Sequence, residues 1–165
     1  MLQQLLTFRL RTASSVALLG VGSELRGDDA VGMRVAEILE QRDAHPRLKI
    51  HLGSTAPENA TGPIRKQNPT HLVIVDAVAL GASPGEVAIL ERSDIAGTTF
   101  CTHTLPLSVV LDFIGYDNPT LDIFVIAIQA EHLLFGEALS ERVEHAAQAI
   151  AHALYESLPN AERSA

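Results

Sequence analysis

The sequence predicts an α/β fold with three layers: a mostly parallel twisted sheet of about five strands, one of them antiparallel, carrying helices on both faces. Three observations lead there. Strand-like and helix-like segments alternate along the chain, the order that builds a parallel sheet covered by helices. The run His71-Leu72-Val73-Ile74-Val75-Asp76 is almost continuously apolar, as a strand buried on both faces requires. Val143, Ala146, Ala147, Ile150 and Leu154 recur at the spacing of one helical face.

Taken in order, residues 1–15 mix apolar side chains with Gln3, Gln4, Arg9 and Arg11 and have no continuous apolar stretch, so they read as an N-terminal extension rather than a signal peptide. Residues 16–19 form a strand that runs into the loop Gly20-Val21-Gly22, and Val31, Val35, Ile38 and Leu39 place a helix after it. Residues 48–52 give a second strand, and Pro57-Glu58-Asn59 opens a short helix toward Lys66. Residues 71–76 make the central strand. After a turn over 81–85, residues 86–90 form a strand whose short connection to the preceding one predicts antiparallel pairing. A helix over 105–116 and an apolar strand over 121–128 follow, and Ser140 is placed to cap the final helix. The domain layout is an extension over 1–14, one domain over 15–160 and a tail over 161–165, since 165 residues, 47% of them hydrophobic, suffice for one sizeable core.

Twelve Lys and Arg against twenty Asp and Glu give a net charge of −8, which disfavours nucleic acid and suits a basic or cationic partner. The lone cysteine, Cys101, rules out an internal disulfide and fits a reducing, cytoplasmic setting. No apolar run approaches the roughly 20 residues of a membrane span.

Parallel sheets bind ligands at the carboxyl ends of their strands. Asp28 and Asp29 follow the first strand, Asp76 closes the central one, and His103 precedes the helix that begins near Pro106. Asp28-Asp29 also has a plain reading as a helix cap beside a solvated acid. Asp76, directly behind four apolar residues, needs hydration, pairing or coordination. His103 is one of seven histidines, and its type alone says little. Joined to two carboxylates, it makes an O,O,N set suited to zinc, nickel or another divalent ion, with coordination positions left open. Competing patterns are weaker. Gly20, Gly22 and Gly27 lack both the dinucleotide spacing and the Walker lysine. Cys101 and His103 are a poor nucleophile and base at two residues apart, and Ser23 and Ser54 lack the nucleophile elbow of serine hydrolases.

In joint order, the motifs resemble the hydrogenase maturation proteases, most of all the HycI branch that processes the formate-linked enzyme. The pieces are Gly20-Val21-Gly22-Ser23 with Gly27-Asp28-Asp29 and Gly32; Gly53-Ser54 with Ala56-Pro57-Glu58-Asn59; Ile74-Val75-Asp76-Ala77; Pro84-Gly85-Glu86; Thr102-His103-Thr104-Leu105-Pro106-Leu107; and Ile128-Gln129. The resemblance as a whole spans residues 16–158, in order. Ser23 stands where the family has Asn, and Ala130 where it has Pro. The resemblance implies an endopeptidase, classed with the aspartic peptidases, that removes the C-terminal extension of a [NiFe]-hydrogenase large-subunit precursor once nickel is inserted. It makes Asp29, Asp76 and His103 both the metal ligands and the catalytic residues, with nickel borne by the substrate; zinc or cadmium could occupy the same ligands in vitro. Asp28 is a weaker candidate, for the base or for orienting Asp29. Gly22 and Gly32 would permit close approach of substrate backbone. The implied partner is the precursor, met by a monomer, and the alternative function is a docking module that senses the metal without cutting.

Overall fold

The computed structural model describes residues 1–95 and 106–159. Strands β1 (Val16–Val21), β2 (Leu48–Ser54), β3 (His71–Val78), β4 (Val87–Glu91) and β5 (Asp122–Gln129) form one sheet in the order β2-β1-β3-β5-β4. All neighbours run parallel except β4, which is antiparallel to β5. Helices α1 (Leu2–Leu10), α2 (Val31–Glu40), α3 (Thr61–Gln67), α4 (Arg92–Ile95), α5 (Leu107–Gly115) and α6 (Glu141–Ser157) complete the fold. Among the described residues no helix is long and apolar enough to cross a membrane.

The sheet is buried from both sides because successive strand residues point to opposite faces. Val73 and Val75 join the cluster formed with α1, α2 and α6, whereas Leu72, Ile74 and Val78 join the one formed with α3 and α5. This is the predicted three-layer arrangement, with β3 in the middle.

The structure adds two helices that the sequence reading did not place, the short α4 and the longer α1. Leu6 and Leu10 of α1 are fully buried, and at about 2 kcal/mol per buried leucine they outweigh the ion pairs at its end. Those pairs join Arg9 to Asp122 at 2.6 Å and to Glu91, while its guanidinium lies over the Phe124 ring. Residues 2–10 are therefore part of the core and not an appendage.

The antiparallel strand is present, but its partner is β5 and not the preceding β3. Both edges of β3 are taken, by β1 and β5. Gln129 steers the connection around the end of β5: its side-chain oxygen accepts from Leu80 N at 2.7 Å, its carbonyl from Gly85 N at 2.9 Å, and its own amide donates to the Glu86 carbonyl at 2.9 Å. The chain thus descends on the far side of β5.

Candidate active site

The chain passes from β1 through α2 to β2 on one side, and then from β2 through α3 to β3 on the other side of β1. A switch point therefore lies between the carboxyl ends of β1 and β3, the place where such sheets bind ligands.

Three glycines shape it. Gly22 leaves β1 with φ of 128°, and a Cβ there would lie 1.7 Å from the Asp29 carbonyl oxygen. Its amide donates to the Ser54 carbonyl at 2.9 Å, and Ser54 itself has a left-handed φ of 48°. Gly32, in the first turn of α2, sits where a Cβ would be 2.1 Å from the Val75 oxygen and 2.3 Å from that of Val21. Gly27 faces the His132 ring at a similarly close distance. The close approaches made by Gly22 and Gly32 are thus to the protein's own backbone, which gives these glycines a packing role.

Contact of α2 with both strand exits fixes the two acids. Asp76 immediately follows Val75, and Asp29 lies one helical turn before Gly32. Both are nearly inaccessible, at 4% exposure for Asp29 and 1% for Asp76. Ser23 N donates to Asp29 Oδ2 at 2.9 Å, closing the loop on itself, and among the described residues no hydrogen bond reaches Oδ1. The serine that replaces the family's asparagine uses its backbone for this contact. Asp76 pairs in register with Ala127 and shares the face of Leu72 and Ile74, toward α3 and α5.

Asp28 is held quite differently. Its buried carboxylate accepts four hydrogen bonds: from Glu131 N at 2.7 Å, His132 N at 3.2 Å, Ser140 N at 2.7 Å and the Ser140 hydroxyl at 3.0 Å. Ser140 does stand at the N-cap position of α6, yet its hydroxyl serves Asp28 and makes no cap bond. Asp28 fastens the β5–α6 loop to the turn that carries Asp29.

His103 and Cys101 lie outside the described residues. Helix α5 begins at Leu107 behind Pro106, on the same face of the sheet as Asp76. Among the described residues no group of three His, Cys, Asp or Glu side chains is arranged to hold a metal ion. One acid escaped the sequence reading as a site residue: Glu58, in the 3-10 turn Pro57–Ala60 after β2, has Oε2 buried without a hydrogen-bond partner. A buried carboxylate oxygen left unmatched is unusual in a folded chain. Its sequence signal was a position beyond a strand end, masked by a second role as helix opener.

Fold and residues together define a doubly wound α/β protein with two buried carboxylates at its switch point. The chain belongs to the hydrogenase maturation protease family, whose model, described as HycI, matches residues 33–157. That match takes in Asp76 and His103 and begins just after Asp28 and Asp29. The hydrogenase 3 maturation protease of Escherichia coli is 32% identical over 134 residues, 81% of this chain and 84% of that protein. The crystal structure of a [NiFe] hydrogenase maturation protease HycI from Thermococcus kodakarensis superposes with a TM-score of 0.87 at 31% identity, covering 94% of this chain and 99% of that one. The hydrogenase maturating endopeptidase HybD from Escherichia coli follows at 0.71 and 28%, covering 86% and 88%. The protein is accordingly a member of a hydrolase family of proteases.

Proposed function

We propose that this protein is the endopeptidase that trims the C-terminal extension from a [NiFe]-hydrogenase large-subunit precursor after nickel insertion. The observation that carries the reading is the meeting of the Asp29 and Asp76 segments at one switch point, through the contact of Gly32 with Val21 and Val75. Asp29, Asp76 and His103 complete the coordination of nickel already held by the substrate. The metal thereby anchors the precursor and fixes the scissile bond, so that an unloaded precursor lacks the anchor. Two carboxylates and an imidazole are a fitting donor set for such an ion, and zinc or cadmium would be accepted in its place.

Cleavage adds water across the peptide bond: the water oxygen bonds to the carbonyl carbon, the C–N bond breaks, and a proton reaches the departing amine. Water is activated by the metal as Lewis acid or by a carboxylate as base. Asp29, with one hydrogen bond from Ser23 among the described residues, keeps acceptor capacity for this role. Asp28, already accepting four hydrogen bonds, serves to position it. The enzyme works as a cytoplasmic monomer, in keeping with its single cysteine.

The test is trimming of nickel-loaded and nickel-free precursor by wild type and by Asp29→Ala, Asp76→Ala and His103→Ala, read by mass spectrometry. Trimming of the loaded precursor alone, abolished by each substitution, is the expected result. A wild type that binds the precursor without cutting it would be a docking module, and one that ignores it would overturn the reading.

A further inference from the structure

Two neighbouring loops at the carboxyl edge hold large apolar side chains in solvent. Leu134 and Phe135, between β5 and α6, are 61% and 77% exposed, and Leu25, between β1 and α2, is 62% exposed. The loops are tied together through their backbones: Gly136 N donates to the Leu25 carbonyl at 2.8 Å, Gly27 N to that of Glu137 at 3.1 Å, and Asp28 N to that of His132 at 3.1 Å. The Asp28 carboxylate adds its four bonds to the same loop. These side chains contribute little burial to the fold, yet their backbone is fixed, so a surface meeting them loses little ordering entropy.

Beside them runs a groove of about 190 Å³ whose walls include Glu24, Glu37, Glu137 and Arg34. Arg34 is committed to Glu37 at 2.7 Å and Glu144 at 2.9 Å, whereas Glu24 and Glu137 form no ion pair among the described residues. Arg26, exposed in the same loop, is outnumbered by the exposed Glu24, Glu131 and Glu137, so the flank of this apolar patch is acidic on balance and selects its partner by charge. A second copy of the chain would bring the same acids against one another, and an anionic lipid surface would be repelled. A basic protein surface fits.

We propose that Leu25, Leu134 and Phe135 are the docking surface for the large-subunit precursor, which meets them with an apolar face flanked by Lys or Arg seated against Glu24 and Glu137. This rests on the substrate reading above. Leu25 lies four residues from Asp29, so a precursor docked here enters the site across the same loop that holds the catalytic acid.

The experiment is steady-state trimming of the nickel-loaded precursor from the same organism. Wild type is compared with the Leu134→Ser/Phe135→Ser double variant, with Glu137→Lys, and with Tyr116→Ser, which removes an aromatic side chain that is 83% exposed in a separate segment after α5. The double variant is expected to raise KM by about tenfold or more with kcat and Tm near wild type, as loss of an interface anchor does. Glu137→Lys should raise KM less and weaken its salt dependence, and Tyr116→Ser should change neither constant. If wild type trims but the double variant keeps its KM, or if the patch instead proves to join two copies in solution, the docking surface is overturned alone. A wild type that cuts no precursor removes the substrate reading and this one together.

Discussion

Ser140 reaches Asp28 twice, through its amide at 2.7 Å and its hydroxyl at 3.0 Å, across 112 residues of chain. Hydrogen bonds to a buried ionised carboxylate contribute about 1.5–3 kcal/mol each when measured singly. Asp28→Ala should therefore lower stability by about 3–5 kcal/mol, since it also strands buried amides. Ser140→Ala, which deletes one donor, should cost about 1–2 kcal/mol. Urea unfolding of both variants checks the order; equal, small losses would mean that the carboxylate is not a structural tie.

Gly32→Ala places a methyl group where the Val75 and Val21 carbonyls stand, 2.1 and 2.3 Å from the new carbon. Both neighbours are sheet backbone and cannot yield cheaply. The expected loss is about 3 kcal/mol or more, roughly 6–12 °C in Tm for a chain of this size. Wild-type melting by this variant would show that α2 can lift from the strand exits.

Mild acid should weaken the fold through two buried imidazoles. Burial holds His71 below its ordinary value against the pull of Asp122, and holds His51 down against its bond to Gln67. Both imidazoles are thus easier to protonate unfolded than folded. The stability they contribute is complete above the unfolded value, about pH 6.5, and is lost as pH falls from there toward the lower folded values. Urea midpoints measured from pH 8 down to pH 5 should drop in that window, and the His51→Gln/His71→Gln double variant should flatten the slope. A midpoint that rises on acidification contradicts the sign.

Glu58→Gln should melt at or slightly above the wild-type temperature, because the unmatched buried oxygen belongs to a charge whose removal lowers a desolvation cost. A drop of several degrees in differential scanning calorimetry would show that the fold depends on that charge.

Much of this architecture can be read from the sequence because its strands are simple. β1, β3 and β5 are apolar runs, and their ends point to Asp29 and Asp76 without any structure. Helix α1 escaped because its apolar residues encircle the axis: Leu6 and Leu10 face inward while Leu5 and Phe8 face solvent, so no single stripe exists. The partner of β4 depends on Gln129, and the work of Asp28 on Ser140. Both are long-range pairings with no local sequence signature. Residue type alone does not separate the adjacent acids, and only the family motif set Asp29 ahead of Asp28; in the structure Asp28 ties two loops together and Asp29 is left with a single described hydrogen bond. His103 rests on its place ahead of the helix that begins near Pro106 and on the family motif, and it lies outside the described residues.

Helices α1 and α6 stand at opposite ends of the described chain and pack on one another, with Thr7 and Ser157 sharing a hydrogen bond at 3.1 Å and the Ser157 hydroxyl reaching the Gln3 carbonyl at 3.2 Å. A ribosome must therefore translate past Ser157 before the layer over β1 and β3 can close, and the loop anchored by Asp28 sits directly ahead of that last helix. A nascent chain therefore has no early half in which this layer is already closed, and the unit is completed all at once, only after its last helix has been made.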